Sequence, residues 1–371
     1  MSSRSFPKSS ARNFRHGLLL TAAGAFGLSA ATTAAYADAP SVVTTIKPLH
    51  SIASAVMEGV GTPHILIDGA SSPHGFALKP SQAFLLQGAD VVFWVGPELA
   101  PSLAKPITSM ASNAKTVELL EAPGIHQLDI REGANFDAHD HDHEDGHDHD
   151  EAHHDEHEDH EEHADHDEDH EEHADHDDHD EDHEEHDEAH EHGHEHGEEH
   201  DPHIWLNPDN GIAIAGVMAE TLAGIDPEHA ATYRENAAKF KDRIEKLEQE
   251  VETQMEPVSG KTFIVFHDAY HHFEHRFGVE ASGAITLSPE ALSSADRIAH
   301  IRERIKDLNV TCVFQEPQFE AKLVDVAMEG SSARKATLDP LGTEIDNGPD
   351  LYPELLKNLA DSLSGCLDGH S

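Results

Sequence analysis

Short β-branched runs alternate with longer amphipathic stretches along most of this chain, and the two periods together predict parallel sheets flanked by helices. Val42–Ile46 reads as a buried strand, followed by a helix over Leu49–Val60 that stops near Gly59 and Gly61. His64–Ile67 predicts a short strand, Ser81–Gly88 a helix introduced by Pro80, and Val91–Val95 and Thr116–Leu120 two more strands. After a long interruption the pattern resumes with a helix over Gly211–Leu222. From Pro227 to Met255 apolar or aromatic residues recur at Tyr233, Ala237, Phe240, Ile244, Leu247 and Val251. Spacings of three and four mark one face of a single long helix.

The second half repeats the logic of the first. Strands are expected at Thr262–Phe266, Val279–Ile285, Thr311–Gln315 and Arg334–Leu338. Helices are expected at Ala269–Phe277, Ser294–Leu308, Ala321–Glu329 and Pro353–Leu363. The fold class is therefore α/β, with two similar lobes, each a small mostly parallel sheet with flanking helices. One long rigid helix, residues 227–256, would join an N-terminal lobe (38–226) to a C-terminal lobe (257–371), with a cleft between them.

The interruption changes the picture. Between Asp137 and His200 lie 22 of the 35 histidines and 34 of the 73 acidic residues, without one Lys or Arg. Glu158–Asp167 recurs unchanged as Glu168–Asp177, which is low-complexity sequence and not a solenoid repeat. Residues 137–201 form an insertion that cannot bury a core, and carboxylate repulsion should keep it expanded and disordered without metal. It presents dozens of imidazoles and carboxylates to divalent ions, among them His139, His141, His143, His147, His149, His153 and His154. Net charge is −49; setting aside the 34 acidic residues of this run leaves −15 for the rest. Nucleic acid and anionic membrane are poor partners for such a surface.

The N-terminus reads as an export signal over residues 1–37. Arg4, Lys8, Arg12 and Arg15 precede an apolar, small-residue run over Gly17–Ala31, and Ala35-Tyr36-Ala37 offers a cleavage site. The mature chain is expected in the periplasm of a Gram-negative cell. In that oxidising compartment the only two cysteines, Cys312 and Cys366, read as a structural disulfide. Ligation of a metal by two thiols is the alternative, but no C-x-x-C spacing supports it.

Four residues outside the run sit where open α/β sheets bind ligands, beyond the carboxyl ends of strands. His74 follows the second strand, His267 closes Phe263–Phe266, His203 precedes a helix, and Asp339 ends the last strand. Three imidazoles suit zinc, with water or a carboxylate as fourth ligand. His50, at the start of the first helix, reads as a capping or solvated residue that could also face the cleft. His271, His272 and His275 read as a solvated helix face.

These residues also carry a resemblance. Ser72–Ser81 (SPHGFALKPS), Asp201–Pro208 (DPHIWLNP), Val265–Tyr270 (VFHDAY) and Thr337–Gly342 (TLDPLG) are similar to successive motifs of the zinc-binding proteins of high-affinity zinc-uptake ABC transporters. The similarity spans essentially the whole mature chain, the His-rich insertion included. It implies a periplasmic receptor that binds Zn²⁺ as cargo and delivers it to a membrane permease driven by a cytoplasmic ATPase, and the chain is expected to be a monomer. It also implies His74, His203 and His267 as ligands, with Asp339 as a fourth ligand or a close neighbour of the ion. Some relatives carry an acidic residue just before the first histidine; Pro73 stands there in this chain. A Cys312–Cys366 disulfide matches the group as well.

Other readings remain open at this level. A manganese or other divalent-metal receptor of the same fold would prefer more oxygen donors, and His267 argues for zinc. A periplasmic metal buffer would rely on the run alone. A hydrolytic enzyme would use His267-Asp268-Ala269-Tyr270-His271, which resembles H-E-x-x-H, but Asp is shorter than Glu and the motif starts at a strand end.

Overall fold

The computed structural model describes residues 39–131, 200–286 and 294–369. The first sheet is built from β1 (Val42–Ile46), β2 (His64–Ile67), β3 (Val91–Trp94) and β4 (Lys115–Glu118), all parallel, in the order β2-β1-β3-β4. Its central strands β1 and β3 are buried throughout, as β-branched, continuously apolar runs require in a parallel sheet covered on both faces. Helices α1 (Lys47–Val56), α2 (Pro80–Gln87) and α3 (Pro101–Met110) make the crossovers. The pattern did not show α3, because Pro101 and Pro106 disguise a helix whose Leu103 and Ile107 are buried.

A 3-10 turn at Ile204–Leu206 leads into α4 (Pro208–Ile225), whose first turn is capped by Asn207 Oδ1 accepting from the Asp209 N–H at 2.9 Å. Then α5 (Ala230–Met255) runs for 26 residues, about 39 Å at 1.5 Å per residue. The expected stripe is its packed face: Tyr233, Phe240, Ile244 and Val251 are buried, and Ala237 and Leu247 lie against the same core.

The second sheet is β5 (Phe263–Ile264), β6 (Cys312–Gln315) and β7 (Arg334–Thr337), parallel and in that order. Helices α6 (His271–Phe277), α7 (Ala295–Asp307), α8 (Lys322–Met328) and α9 (Leu351–Asp368) surround it. The strand expected at Val279–Ile285 is reduced to a single parallel bridge, Val265 to Ala284. Gly283 has φ at 151°, and main-chain bonds still follow this edge: Val265 N–H donates to the Gly283 carbonyl, Ile285 N–H to that of Val265 and Thr286 N–H to that of Phe266.

One apolar core runs from Val42 through α4 and α5 to Leu367, so the two sheets share their packing. Polar stitches reinforce this. Lys47 Nζ donates to the carbonyls of Thr343 (3.1 Å) and Ile345 (2.7 Å), and Asn236 Nδ2 to those of Val56 (3.1 Å) and Glu58 (2.8 Å). Trp205 Nε1 donates to the Pro340 carbonyl at 2.7 Å, and Tyr352 Oη to the Trp205 carbonyl at 2.8 Å. Cys312 and Cys366 are joined, with Cα atoms 6.2 Å apart, and the bond pins α9 to β6. Among the described residues no helix is long and apolar enough to cross a membrane.

Candidate metal centre

The loop after β2 carries His74, the segment before α4 carries His203, and the turn after β5 carries His267. Their rings converge: centroids lie 5.3 Å apart for His74 and His203, 5.9 Å for His74 and His267, and 5.4 Å for His203 and His267. His74 Nε2 and His203 Nε2 are 3.3 Å apart. A tetrahedral zinc with nitrogens at about 2.05 Å has an edge of about 3.3 Å, so this pair already stands at the required separation. One ligand atom from each of the three rings lies within 4.8 Å of the others.

Two buried carboxylates decide which nitrogen each ring presents. Asp201 Oδ1 accepts from His203 Nδ1 at 2.7 Å and from the His203 main-chain N–H at 2.9 Å. Glu316 Oε1 lies 2.8 Å from His267 Nδ1 and accepts from the His267 main-chain N–H at 3.3 Å. With Nδ1 engaged, Nε2 of each ring is left to face the cavity, and the carboxylate makes that nitrogen a better donor. Sequence reasoning missed both acids. Asp201 stands two residues before His203 and Glu316 directly follows β6, so strand-end position was a signal for Glu316 alone.

Burial favours neutral rings. The His74 pKa is pushed down to about 2 by burial, then by His203 and His267. His203 is held well below the usual imidazole range, again by burial first and then by His267. His267 goes the other way: burial pulls it down, but the Glu316 carboxylate outweighs this and raises it. Two of the three lone pairs are therefore available to a cation at neutral pH without loss of a proton.

The cavity is small, about 10 Å³, and is lined by Pro73, Trp205, Phe319, Pro340 and Leu341, with Ser72, Glu316 and Gln318 as polar members, beside the three histidines. That is room for one ion-sized occupant. Three converging imidazoles make a borderline-soft site, suited to zinc and poorly suited to manganese.

A family model described as zinc-uptake complex component A, periplasmic (ZnuA), matches residues 42–366. The chain belongs to the ZnuA family. It is 49% identical over 352 residues to the high-affinity zinc uptake system protein ZnuA of Brucella abortus (strain 2308), covering 95% of this chain and 98% of that one. The ZnuA of Paracoccus denitrificans (strain Pd 1222) is 42% identical, with 92% and 96% covered. A crystal structure of ZnuA shares the fold, with a TM-score of 0.65 at 20% identity over 89% of this chain and 99% of that one.

The other sequence-derived candidates fall differently. Asp339 stands outside the histidine group. Its Oδ1 accepts from the Leu341 and Gly342 N–H groups, each at 3.1 Å, and from Gln318 Nε2 at 3.0 Å. Its Oδ2 accepts from Thr343 N at 2.6 Å and Thr343 Oγ1 at 2.8 Å, so the carboxylate organises the loop after β7. His50 is neither a cap nor solvated: its ring is buried, with Nε2 3.2 Å from the Pro63 carbonyl.

The solvated face expected for α6 holds for His275 alone. His272 is fully buried, its Nε2 3.1 Å from the Asp201 carbonyl, and His271 Nδ1 lies 3.9 Å from Asp201 Oδ2. The reason is tertiary, since α6 packs against the segment that carries His203. His271 does not join the metal group, and Asp268 is engaged by Arg131, so the H-E-x-x-H-like arrangement is not assembled. The run histidines His139, His141, His143, His147, His149, His153 and His154 lie outside the described residues, as does the export signal.

Proposed function

We propose that this chain is the periplasmic receptor of a zinc-import ABC transporter. It captures one Zn²⁺ between His74, His203 and His267 and hands the ion to a membrane permease powered by a cytoplasmic ATPase. It acts as a monomer, exported by cleavage after residue 37. The observation that carries this reading is the convergence of three ring nitrogens, two of them fixed by buried carboxylates, on a cavity the size of one ion.

The site is built to hold and release, not to catalyse. The rings replace the hydration shell of the ion, and no substrate-sized pocket adjoins them among the described residues. Lys47 and Trp205 tie the N-terminal lobe to the loop after β7, and Asn236 ties α5 to the end of α1. Release on this scaffold proceeds by small tilts and loop shifts, not by a wide hinge opening. The His/Asp/Glu run acts as a secondary, weaker, multi-ion store.

Zinc titration of the full chain against a chain lacking residues 139–199 tests this. The receptor reading expects one tight zinc per chain to survive the deletion and only weak sites to be lost. A chain that lost nearly all binding would be a buffer. Preference of the deleted form for Mn²⁺ over Zn²⁺ would overturn the metal assignment.

A further inference from the structure

Three histidines leave one corner of a tetrahedral ion open. Among the residues lining the cavity, three side-chain oxygens are buried without a hydrogen-bond partner: Ser72 Oγ, Glu316 Oε2 and Gln318 Oε1. Buried acceptors are rarely left so, and an absent ligand is one standard reason.

The three are not equivalent. Glu316 is committed to the Nδ1 edge of His267, and in an imidazole that edge lies opposite Nε2, so its carboxylate stands behind the ring with respect to the ion. Ser72 carries a hydroxyl free to rotate and to donate as well as accept. Gln318 is fixed. Its Nε2 donates to Asp339 Oδ1 at 3.0 Å, and an ionised carboxylate can only accept. The amide therefore has one allowed orientation, with NH₂ toward Asp339 and the carbonyl oxygen on the other side. Gln318 borders the metal cavity and Asp339 does not, and the amide oxygen is the end of Gln318 that is buried without a partner there.

On the receptor reading above, we infer that Gln318 Oε1 is the fourth donor to the bound zinc, held in register by Asp339. Asp339 thus acts on the ion through Gln318, with all of its own oxygens occupied elsewhere. The donor set is three neutral imidazoles and one neutral amide oxygen. It leaves the charge of the ion uncompensated by any directly bound anion, which discriminates against harder cations that demand carboxylates.

The test compares full-length wild type, Gln318→Leu, Gln318→Glu and His203→Ala by chelator competition for the first equivalent of zinc. Each is repeated with one equivalent of Co²⁺ read by its visible d–d bands. Gln318→Leu is expected to weaken the tight site by about tenfold or more and to shift the cobalt bands. Gln318→Glu is expected to raise Mn²⁺ affinity by about tenfold over wild type, because a carboxylate oxygen then occupies the fourth corner. Wild-type zinc affinity and unchanged cobalt bands in Gln318→Leu would overturn the inference. If His203→Ala still loses the tight class in that case, the receptor reading stands; if it does not, both fall. Should metal-free Gln318→Leu melt below wild type, Gln318→Glu decides alone, and no gain in Mn²⁺ affinity refutes the assignment.

Discussion

Glu316 Oε1 holds His267 twice, at the ring Nδ1 (2.8 Å) and at the main-chain N–H (3.3 Å). Asp201 Oδ1 does the same for His203, at 2.7 Å and 2.9 Å. In both cases one carboxylate oxygen fixes a ring of the histidine cluster and its backbone together. Ring rotation about χ1 or χ2 must break that contact, so the donor nitrogens are placed before the ion arrives.

Glu316→Gln and Asp201→Asn should each lower zinc affinity by about 10–100-fold, the usual cost of removing a partner behind a ligating histidine. The amide can offer its NH₂ to Nδ1, which turns the proton onto Nε2 and blocks the lone pair. Chelator competition at neutral pH measures this. Unchanged affinity in both variants would show that packing alone orients the rings.

Zinc binding by the cleft should weaken as pH falls, with a shallow slope. His267, held above the usual imidazole range by Glu316, is the ring that must release a proton on binding as pH falls. His74, at about 2, and His203, well below its usual value, add no protons over that range. The expected slope is about one proton per ion, or about tenfold in affinity per pH unit. The run should lose its zinc first and more steeply, because its clustered carboxylates favour protonated imidazole. Titration from pH 7.5 down to about 5 checks both points; simultaneous loss from cleft and run contradicts them.

Much of this arrangement was legible in the sequence, and the rest failed for identifiable reasons. Strand ends pointed to His74 and His267, because β-branched runs announce parallel strands, while His203 was singled out just before a helix; the three rings do converge. Asp201 and Glu316 were hidden because a carboxylate behind a ligand leaves no periodic trace; its role appears only when the chain closes on the ring. His272 and His50 were misread for a related cause. A polar residue looks solvated until a distant carbonyl, Asp201 for one and Pro63 for the other, is brought against it.

Gly211→Ala should destabilise the protein by about 1–3 kcal/mol through overpacking. A Cβ at this position on α4 would meet the Tyr352 ring, with Cζ at 2.6 Å and Cε1 at 2.8 Å, and that ring is fully buried. The ring cannot retreat without breaking the Tyr352 Oη to Trp205 carbonyl bond. Thermal unfolding of metal-free protein reads the loss; a melting temperature equal to wild type would mean that α4 can shift freely against α9.

Reducing the Cys312–Cys366 bond should also destabilise the fold. The bridge closes a loop with a sequence separation of 54, for which chain entropy gives about 4 kcal/mol. The expected signature is a lower melting temperature in the presence of a reductant, matched by Cys366→Ala without one. If neither moves the transition, the packing of Leu359, Leu363 and Leu367 along α9 already secures the helix.

The hydrogen bond from Trp205 to Pro340 has one more consequence. Trp205 is two residues from His203, and α6, which follows His267, leans on Asp201 through His272. Two legs of the tripod thus stand on common ground, while His74 stands on a loop of its own. A displacement of that loop by a fraction of an ångström is felt by one nitrogen and not by three. A cargo can therefore be carried firmly and set down by lifting a single foot.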